Sequence, residues 1–355
     1  MTKSQPNTGK DMRRYCAKLG TDPLLVQGAG GNASWKEGSI LWVKASGTWL
    51  ADAEEEEIFI PVDLVAMTSE LAEINYAVLP KVLSDTKAKP SIETLLHALM
   101  PHPVVLHLHA IEALAHLVRE DFYEVLEKKL SRFVSFVVVE YRKPGADLAS
   151  AVGTVLTQNP STDVVFLRNH GIMIGGENTD DIHQKLCTVI QSLFTDPMYQ
   201  DAAPFYTPKP PTKLIGEYAL LSDSGVQQLA LNPALYKRVC TDWALYPDHI
   251  VFLGPRAHAY ESWSVFDEEN LCSRSLPELI FLKGEGVFIK PSFTKAKKAQ
   301  LRCYFDVLAR QKPDSSLVVL TDNQIAELLT WDAEQYRLNL DTANIMPGSN
   351  SAPTQ

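Results

Sequence analysis

Apolar residues recur along this chain at two spacings, which predict short buried strands alternating with helices. Residues 104–109 form an apolar, β-branched run with the length of a buried strand. Pro90 and Pro101 bracket a helix predicted over residues 91–100. On the same grounds, helices are predicted over residues 11–20, 111–117, 146–156 and 180–194, and strands over residues 40–43, 164–167 and 172–174. The chain is therefore of the mixed α/β class.

A proline-rich stretch divides the chain in two. Residues 202–213 are rich in proline and predict a stiff linker between domains. We accordingly predict a first domain over residues 1–201 and a second over residues 214–343. The polar residues 344–355 are predicted to form a disordered tail.

A weak internal repeat spans this linker. Residues 166–174 align with residues 281–289, and a helix is predicted after each segment. In the second copy Glu285 takes the place of His170, and the strand predicted upstream, over residues 249–253, carries no histidine pair. We interpret the C-terminal half as a degenerate copy of the first domain that kept the fold. Chance similarity between two buried hairpins is the alternative.

Composition and charge narrow the class of protein. The 355 residues are 45% hydrophobic and 21% charged, which predicts a sizeable buried core. The net charge of −10 argues against a nucleic-acid partner, since phosphate backbones bind basic surfaces. We also expect no membrane association, because no apolar run has transmembrane length and residues 1–10 lack the apolar core of a signal peptide. The 5 cysteines are scattered, which predicts free thiols and a cytoplasmic location.

Three histidines are the candidate metal ligands. His107 and His109 are two residues apart on a predicted strand, so their side chains point to the same face. His170 lies in a tight turn between two predicted strands. Three neutral imidazoles with an open fourth position are typical of a catalytic metal site. The alternative, that each histidine is a hydrogen-bonded core residue, fits this clustering less well.

Four short motifs, taken together, resemble the class II aldolase/adducin family. In order and spacing they match it at residues 28–34 (Gly-Ala-Gly-Gly-Asn-Ala-Ser), 91–93 (Ser-Ile-Glu), 107–109 (His-Leu-His) and 169–171 (Asn-His-Gly). The resemblance covers about residues 11–195. Residues 41–48 and the second half are similar to the longer, rhamnulose-aldolase-type branch, and we expect no dehydrogenase domain of the kind that some members carry.

The resemblance implies a fold and a metal centre. The fold is a three-layer α/β/α arrangement with a mostly antiparallel central sheet, followed here by the degenerate second copy. His107, His109 and His170 would hold one divalent metal per chain, with Zn²⁺ first and Mn²⁺, Fe²⁺ or Co²⁺ as alternatives. Glu93 would be the catalytic acid/base, although an acid in the first turn of a helix can also simply favour the helix dipole. The family also implies a closed homo-oligomer, a dimer or a tetramer.

Glycine-rich loops are the candidate anion site. By resemblance, a phosphate or similar group would be held by Gly31, Asn32, Ser46, Gly47 and Ser91. Glycines let backbone N–H groups approach an oxyanion closely. Ile92 departs from the family, because many phosphate-using members have a second hydroxyl residue at this position. Lys44 would supply compensating charge if its side chain faces the pocket.

The family implies more than one function. The leading hypothesis is a metal-dependent lyase that cleaves a small, sugar-derived, phosphorylated substrate by a retro-aldol reaction through a metal-stabilised enediolate. Decarboxylation, epimerisation and dehydration use nearly the same groups and remain alternatives. A non-catalytic, adducin-like binding module is a further alternative, although such members have lost the metal ligands. The second half is a candidate for completing either the pocket or an oligomer interface.

Overall fold

The computed structural model describes residues 8–199, 218–271 and 275–343. The linker predicted over residues 202–213 and the tail predicted over residues 344–355 lie outside the described residues. The described part contains a seven-stranded sheet and a four-stranded sheet, each associated with its own helices.

The seven-stranded sheet belongs to the first half of the chain. Its strands are β1 Asn32–Glu37, β2 Ile40–Lys44, β3 Phe59–Asp63, β4 Val104–Leu108, β5 Phe136–Val139, β6 Val164–Leu167 and β7 Gly171–Gly176. Their order across the sheet is β3-β2-β1-β4-β7-β6-β5. Every neighbouring pair is antiparallel except β5 and β6. The predicted mostly antiparallel sheet is therefore confirmed.

Helices cover both faces of this sheet. They are α1 Thr8–Gly20, α2 Leu64–Ala72, α3 Thr94–Leu99, α4 Ile111–Leu117, α5 Phe122–Leu130, α6 Ala146–Gln158 and α7 Thr179–Leu193. One apolar core joins the sheet to α1, α4, α5 and α7, and a second joins its other face to α2, α3 and α6. Leu106 enters the first core and Val105 the second, as the alternation along a strand requires. This is the predicted three-layer α/β/α arrangement.

The second half contains a smaller sheet and seven helices among its described residues. The strands are β8 Ala219–Leu220, β9 Ala259–Tyr260, β10 Leu279–Leu282 and β11 Gly286–Ile289. The helices are α8 Ser224–Leu231, α9 Pro233–Thr241, α10 Pro247–Leu253, α11 Trp263–Asn270, α12 Lys295–Leu308, α13 Asp322–Leu329 and α14 Asp332–Ala343. The strand order is β8-β11-β10-β9, and only β9 and β10 are parallel.

This order repeats part of the first sheet. In both sheets an antiparallel hairpin, β6-β7 or β10-β11, has a parallel strand on one side and an antiparallel strand on the other. The shared topology supports the degenerate second copy. Strand β8 occupies the position of the histidine strand β4, and it consists of Ala219 and Leu220 alone.

The strand predicted over residues 249–253 is wrong, because this segment lies in helix α10. Its sequence carried a helix signal that the apolar run obscured. Pro247 occupies the first turn, where its missing N–H leaves no hydrogen bond unmade, and Asp248 adds an acid at the positive end of the helix. His249 is fully buried against the ring of Trp243.

The two halves share a core and buried polar contacts. Ile111 and Leu114 of α4, together with Val118 just after this helix, pack in the core of the second half. On the same helix, Glu112 forms an ion pair of 2.8 Å with Arg310, and both side chains are buried. The seam between the halves therefore resembles a protein interior.

Asn169 is a second polar contact across this seam. It lies in the β6-β7 turn with a φ of 52°, a conformation that asparagine tolerates better than most residues. Its side-chain amide donates to the carbonyl of Leu245 at 2.8 Å and to that of Val318 at 2.7 Å. The turn that carries His170 is thus fixed to the second half by the residue before it.

Two features bear on the remaining predictions. None of the described helices has the length and apolar character needed to cross a bilayer. Cys16, Cys187, Cys240 and Cys303 are free thiols, as predicted.

We predict that Asn169→Gly lowers the free energy of unfolding by about 2–4 kcal/mol, because two buried carbonyls lose their donor while glycine keeps the backbone conformation. Urea unfolding would measure the change. Asn159→Gly, which removes an exposed amide donor at the end of α6, is the control and should cost about 1 kcal/mol or less. Equal losses in the two variants would contradict a role for Asn169 in joining the halves.

Candidate functional site

The three predicted histidines meet at one point. His107 lies near the end of β4, His109 follows that strand, and His170 ends the β6-β7 turn. All three are buried, and one ring nitrogen from each lies within 4.8 Å of the others. Among the residues that the structure describes, this is the one group of histidine, cysteine and acidic side chains with metal-ligand spacing.

Hydrogen-bond partners fix which nitrogen faces the centre. Nδ1 of His107 lies 3.1 Å from the carbonyl oxygen of Ile172. Nδ1 of His109 lies 3.4 Å from a carboxylate oxygen of Asp248. Both partners only accept hydrogen bonds, so each Nδ1 carries the proton and each Nε2 presents its lone pair inward.

This arrangement suits a cation. Nε2 of His107 and Nε2 of His109 are 3.2 Å apart. Burial lowers the pKa of His107 to about 3, so its ring is neutral at pH 7. If both rings are neutral, two lone pairs face each other at this distance and repel unless a positive group lies between them. Nδ1 of His170 is buried without a hydrogen-bond partner in the described part of the chain. The donor set fits Zn²⁺ or another borderline first-row ion.

Glu93 belongs to the same cluster. It precedes α3, and its side chain makes no capping bond to that helix. One carboxylate oxygen is 3.3 Å from Nε2 of His107, and the other is 3.1 Å from Nε2 of His170. Burial opposes ionisation of Glu93, but contact with the histidines outweighs it and holds the pKa of this carboxyl well below its usual range. This geometry favours the functional interpretation over the helix-dipole alternative.

Strand register explains how Glu93 reaches the histidines. Asn32 on β1 pairs with His107 on β4, and its amide donates to Glu93 at 2.7 Å. A bridge between Ala45 and Pro90 fastens the segment before Glu93 to the end of β2. The sheet therefore positions both the metal-facing histidine and the carboxylate.

The predicted anion-binding residues lie around one cleft. It is lined by Gly31, Asn32, Ser46, Gly47 and Ser91, together with Ile92, Glu93, His109 and His170. Gly31 has a φ of +69°, and a Cβ there would lie 3.1 Å from the carbonyl oxygen of His107. Only glycine allows this close approach without strain. The enclosed part of the cleft, about 30 Å³, has room for about two water molecules, and beyond it the cleft opens to solvent.

Lys44 lines the cleft but is engaged by the backbone. Its ammonium donates to the carbonyl of Ala29 at 3.1 Å and to that of Thr48 at 2.7 Å. It is only 1% exposed, and burial together with the nearby charge of Arg337 lowers its pKa to about 7. Lys44 therefore braces the two loops and carries a partial charge near neutral pH.

Sequence analysis missed the part of the cleft that the second half provides. Asp248 on α10 and Arg337 on α14 line the same cleft and pair at 2.9 Å. Burial opposes ionisation of Asp248, but Arg337 and His109 outweigh it and hold the pKa of Asp248 well below its usual range. Recognising the helix start at Pro247 would have directed attention to Asp248. No local pattern marks Arg337.

Two other buried histidines, His97 and His116, are each hydrogen-bonded within the fold. Nδ1 of His97 is 2.8 Å from the hydroxyl of Ser34. Nε2 of His116 is 2.9 Å from the carbonyl oxygen of Leu193. Neither ring belongs to the metal-facing cluster.

Comparison with known proteins agrees with this geometry. A family model for the class II aldolase and adducin N-terminal domain matches residues 10–193. An uncharacterized oxidoreductase of Bacillus subtilis, YuxG, is 28% identical over 188 residues, which is 49% of this chain and 27% of that protein. The chain thus spans about a quarter of the length of this curated relative.

Several solved structures are similar to about half of this chain. The N-terminal class II aldolase domain of a conserved Thermoplasma acidophilum protein is 25% identical, with a TM-score of 0.45, over 54% of this chain and 94% of that one. A sugar-phosphate aldolase from Thermotoga maritima is 18% identical, with a TM-score of 0.41, over 52% of this chain and 91% of that one. An L-fuculose-1-phosphate aldolase from Thermus thermophilus is 17% identical, with a TM-score of 0.35, over 52% and 92%.

We predict that His109→Ala abolishes stoichiometric metal binding, because it removes one of three inward-facing lone pairs. Elemental analysis of protein purified without chelators or a histidine tag would measure it. The exposed His183→Ala is the control and should retain the metal content of the wild type. Unchanged metal content in His109→Ala would refute the ligand assignment.

Proposed function

Because the chain belongs to the class II aldolase and adducin family, we propose that it is a metal-dependent lyase that cleaves a carbon–carbon bond in a small, sugar-derived, phosphorylated substrate. The observation that carries this proposal is the cluster of three inward-facing imidazoles with a buried carboxylate beside them. A non-catalytic binding module would have no use for such a set of desolvated groups.

His107, His109 and His170 are proposed to hold one divalent cation, with Zn²⁺ first and Mn²⁺, Fe²⁺ or Co²⁺ as alternatives. When bound, the cation supplies Lewis acidity that polarises a substrate carbonyl and offsets the negative charge that develops during cleavage. His109 and His170 line the cleft, so substrate oxygens bound in the cleft would lie next to two of the three rings.

Glu93 is proposed to move the proton. An ionised carboxylate accepts the proton of the substrate hydroxyl as the bond between the two carbons breaks. The electron pair of that bond stays on the carbon next to the carbonyl, and Glu93 then returns the proton to this carbon. The amide of Asn32 keeps the carboxylate in place through its 2.7 Å hydrogen bond.

The cleft loops are proposed to hold the anionic group of the substrate. Gly31, Ser46, Gly47 and Ser91 surround the space beside the histidines. Ile92 offers no side-chain donor here. Arg337 lines the same cleft and adds a positive charge that the family motifs did not indicate. The side-chain amide of Asn32 already donates a hydrogen bond to the carboxylate of Glu93, so Asn32 positions Glu93 in addition to any contact with the substrate.

Metal content is the first test, and a substrate panel is the second. About one first-row metal per chain would support the site and justify the panel. Aldose phosphates, ketose phosphates and acid sugars would then be screened with the metal-loaded protein. New carbonyl products identify an aldolase, whereas release of CO₂, inversion at one carbon or loss of water would identify a decarboxylase, an epimerase or a dehydratase. No metal after reloading with each ion would contradict the proposal.

We also propose that the protein forms a closed homo-oligomer, a dimer or a tetramer. Light scattering at several concentrations would measure the mass in solution. A monomer throughout would contradict this part of the proposal.

We predict that Glu93→Gln keeps the fold and the metal but loses turnover by about 10²–10⁴-fold, because an amide can neither accept nor return the proton. The readouts are steady-state rate and metal content. Glu285→Gln alters the corresponding turn of the second copy and should leave the rate unchanged. Wild-type turnover in Glu93→Gln would assign the proton transfer to another group.

A further inference from the structure

We infer that Asp248, on helix α10 of the second half, is a positioning residue of the metal centre that orients His109 and raises the affinity for the cation. This inference rests on the proposed metal-dependent function. It assigns to the degenerate second copy a part in a site whose three ligands all come from the first half.

The contact is direct and buried. Oδ2 of Asp248 lies 3.4 Å from Nδ1 of His109, on the side of the ring opposite the centre. Asp248 is 3% exposed and His109 is 6% exposed, so solvent screens the contact between them only weakly. Histidines that bind metals commonly donate their other ring N–H to a carboxylate, which fixes the ring and strengthens it as a ligand.

The first half leaves space for this contact. Gly30 lies against both side chains, and a Cβ at this position would be 3.0 Å from Oδ2 of Asp248 and 3.1 Å from Nδ1 of His109. A side chain here would therefore press on the carboxylate and the ring together. The glycine loop thus admits a residue from the other half of the chain.

Asp248 is itself held from two directions. Its Oδ1 lies 2.9 Å from the guanidinium of Arg337 on α14. Its Oδ2 accepts from the side-chain amide of Gln300 on α12 at 3.2 Å. Three helices of the second half therefore converge on one carboxylate, and this convergence restricts where the carboxylate can point.

The other two histidines show why this contact matters. His107 is oriented by the carbonyl of Ile172, within the first half. Nδ1 of His170 has no hydrogen-bond partner among the described residues. Without Asp248, only one of the three rings would have its outward nitrogen satisfied.

A purely structural role makes a different prediction. If Asp248 only anchors α14 through Arg337, then removing either partner should loosen α14 equally, and metal affinity should be either unchanged or lowered by the same factor in both variants. If Asp248 acts on His109, then Asp248→Asn should weaken metal binding, and Arg337→Gln should weaken it less, because Gln300 still holds the carboxylate.

The experiment measures Zn²⁺ affinity of the full chain by competition with a chromophoric chelator. Asp248→Asn should bind Zn²⁺ about 10–100-fold more weakly than the wild type, the range typical for loss of such an outer partner. The absorption spectrum of the Co²⁺-loaded form should also change, because the His109 ring is no longer fixed. Arg337→Gln should lose less affinity than Asp248→Asn.

Asp306→Asn is the matched control. Asp306 is a buried aspartate on α12 that accepts from Arg302 at 3.0 Å, and it does not line the cleft. The Zn²⁺ affinity of the Asp306→Asn variant should equal that of the wild type. Gly30→Ala is a second variant. It keeps the side chains of Asp248 and His109 but adds a methyl group that crowds both of them, so it should weaken Zn²⁺ binding. It therefore tests the inference even if Asp248→Asn does not fold.

The outcomes separate this inference from the proposed function. Wild-type protein that binds none of Zn²⁺, Co²⁺, Mn²⁺ and Fe²⁺ overturns the proposed function. Wild-type binding together with unchanged affinity in Asp248→Asn, or in Gly30→Ala where Asp248→Asn is unfolded, overturns only the role of Asp248. Equal losses in Asp248→Asn and Arg337→Gln also overturn it, since they would assign the effect to the anchoring of α14.

Discussion

The site depends on the burial of two imidazole nitrogens that face each other at 3.2 Å. Burial keeps the ring of His107 neutral, and acceptors on the outer side of both rings turn the lone pairs inward. Two neutral rings placed in this way would repel each other, and the sheet keeps them in place because β4 is hydrogen-bonded on both sides. A cation would relieve this repulsion, so the arrangement of the two rings would itself favour a positively charged ligand.

The two halves are coupled through groups next to the ligands rather than through the ligands themselves. Asn169 precedes His170 and donates to two carbonyls of the second half. Asp248, which also belongs to the second half, lies 3.4 Å from Nδ1 of His109. The second half, which has no histidine in strand β8, therefore contacts the surroundings of the three histidines through Asn169 and His109.

Local pattern was sufficient for the ligands but not for their surroundings. The two-residue period of β4 places His107 and His109 on one face, so the sequence predicts their proximity directly. Residues 249–253 were predicted as a strand because a short apolar run is compatible with both a strand and a helix. Pro247, in the first turn of α10, is the signal that favours the helix. Arg337 could not be predicted, since it reaches the cleft only through the packing of α14 against α10, a contact that no local spacing encodes.

Local charge determines which substrate the cleft suits, despite the net charge of −10 on the whole chain. Within the cleft, Glu93 and Asp248 are negative and Arg337 is positive, while Lys44 has a pKa of about 7 and is partly charged. These charges nearly balance, so a bound divalent cation would leave the cleft clearly positive. Because the site is largely desolvated, this excess is weakly screened and attracts an anion. On the proposed function, we therefore expect the metal-loaded cleft to favour a substrate that carries a phosphate or carboxylate over a neutral sugar.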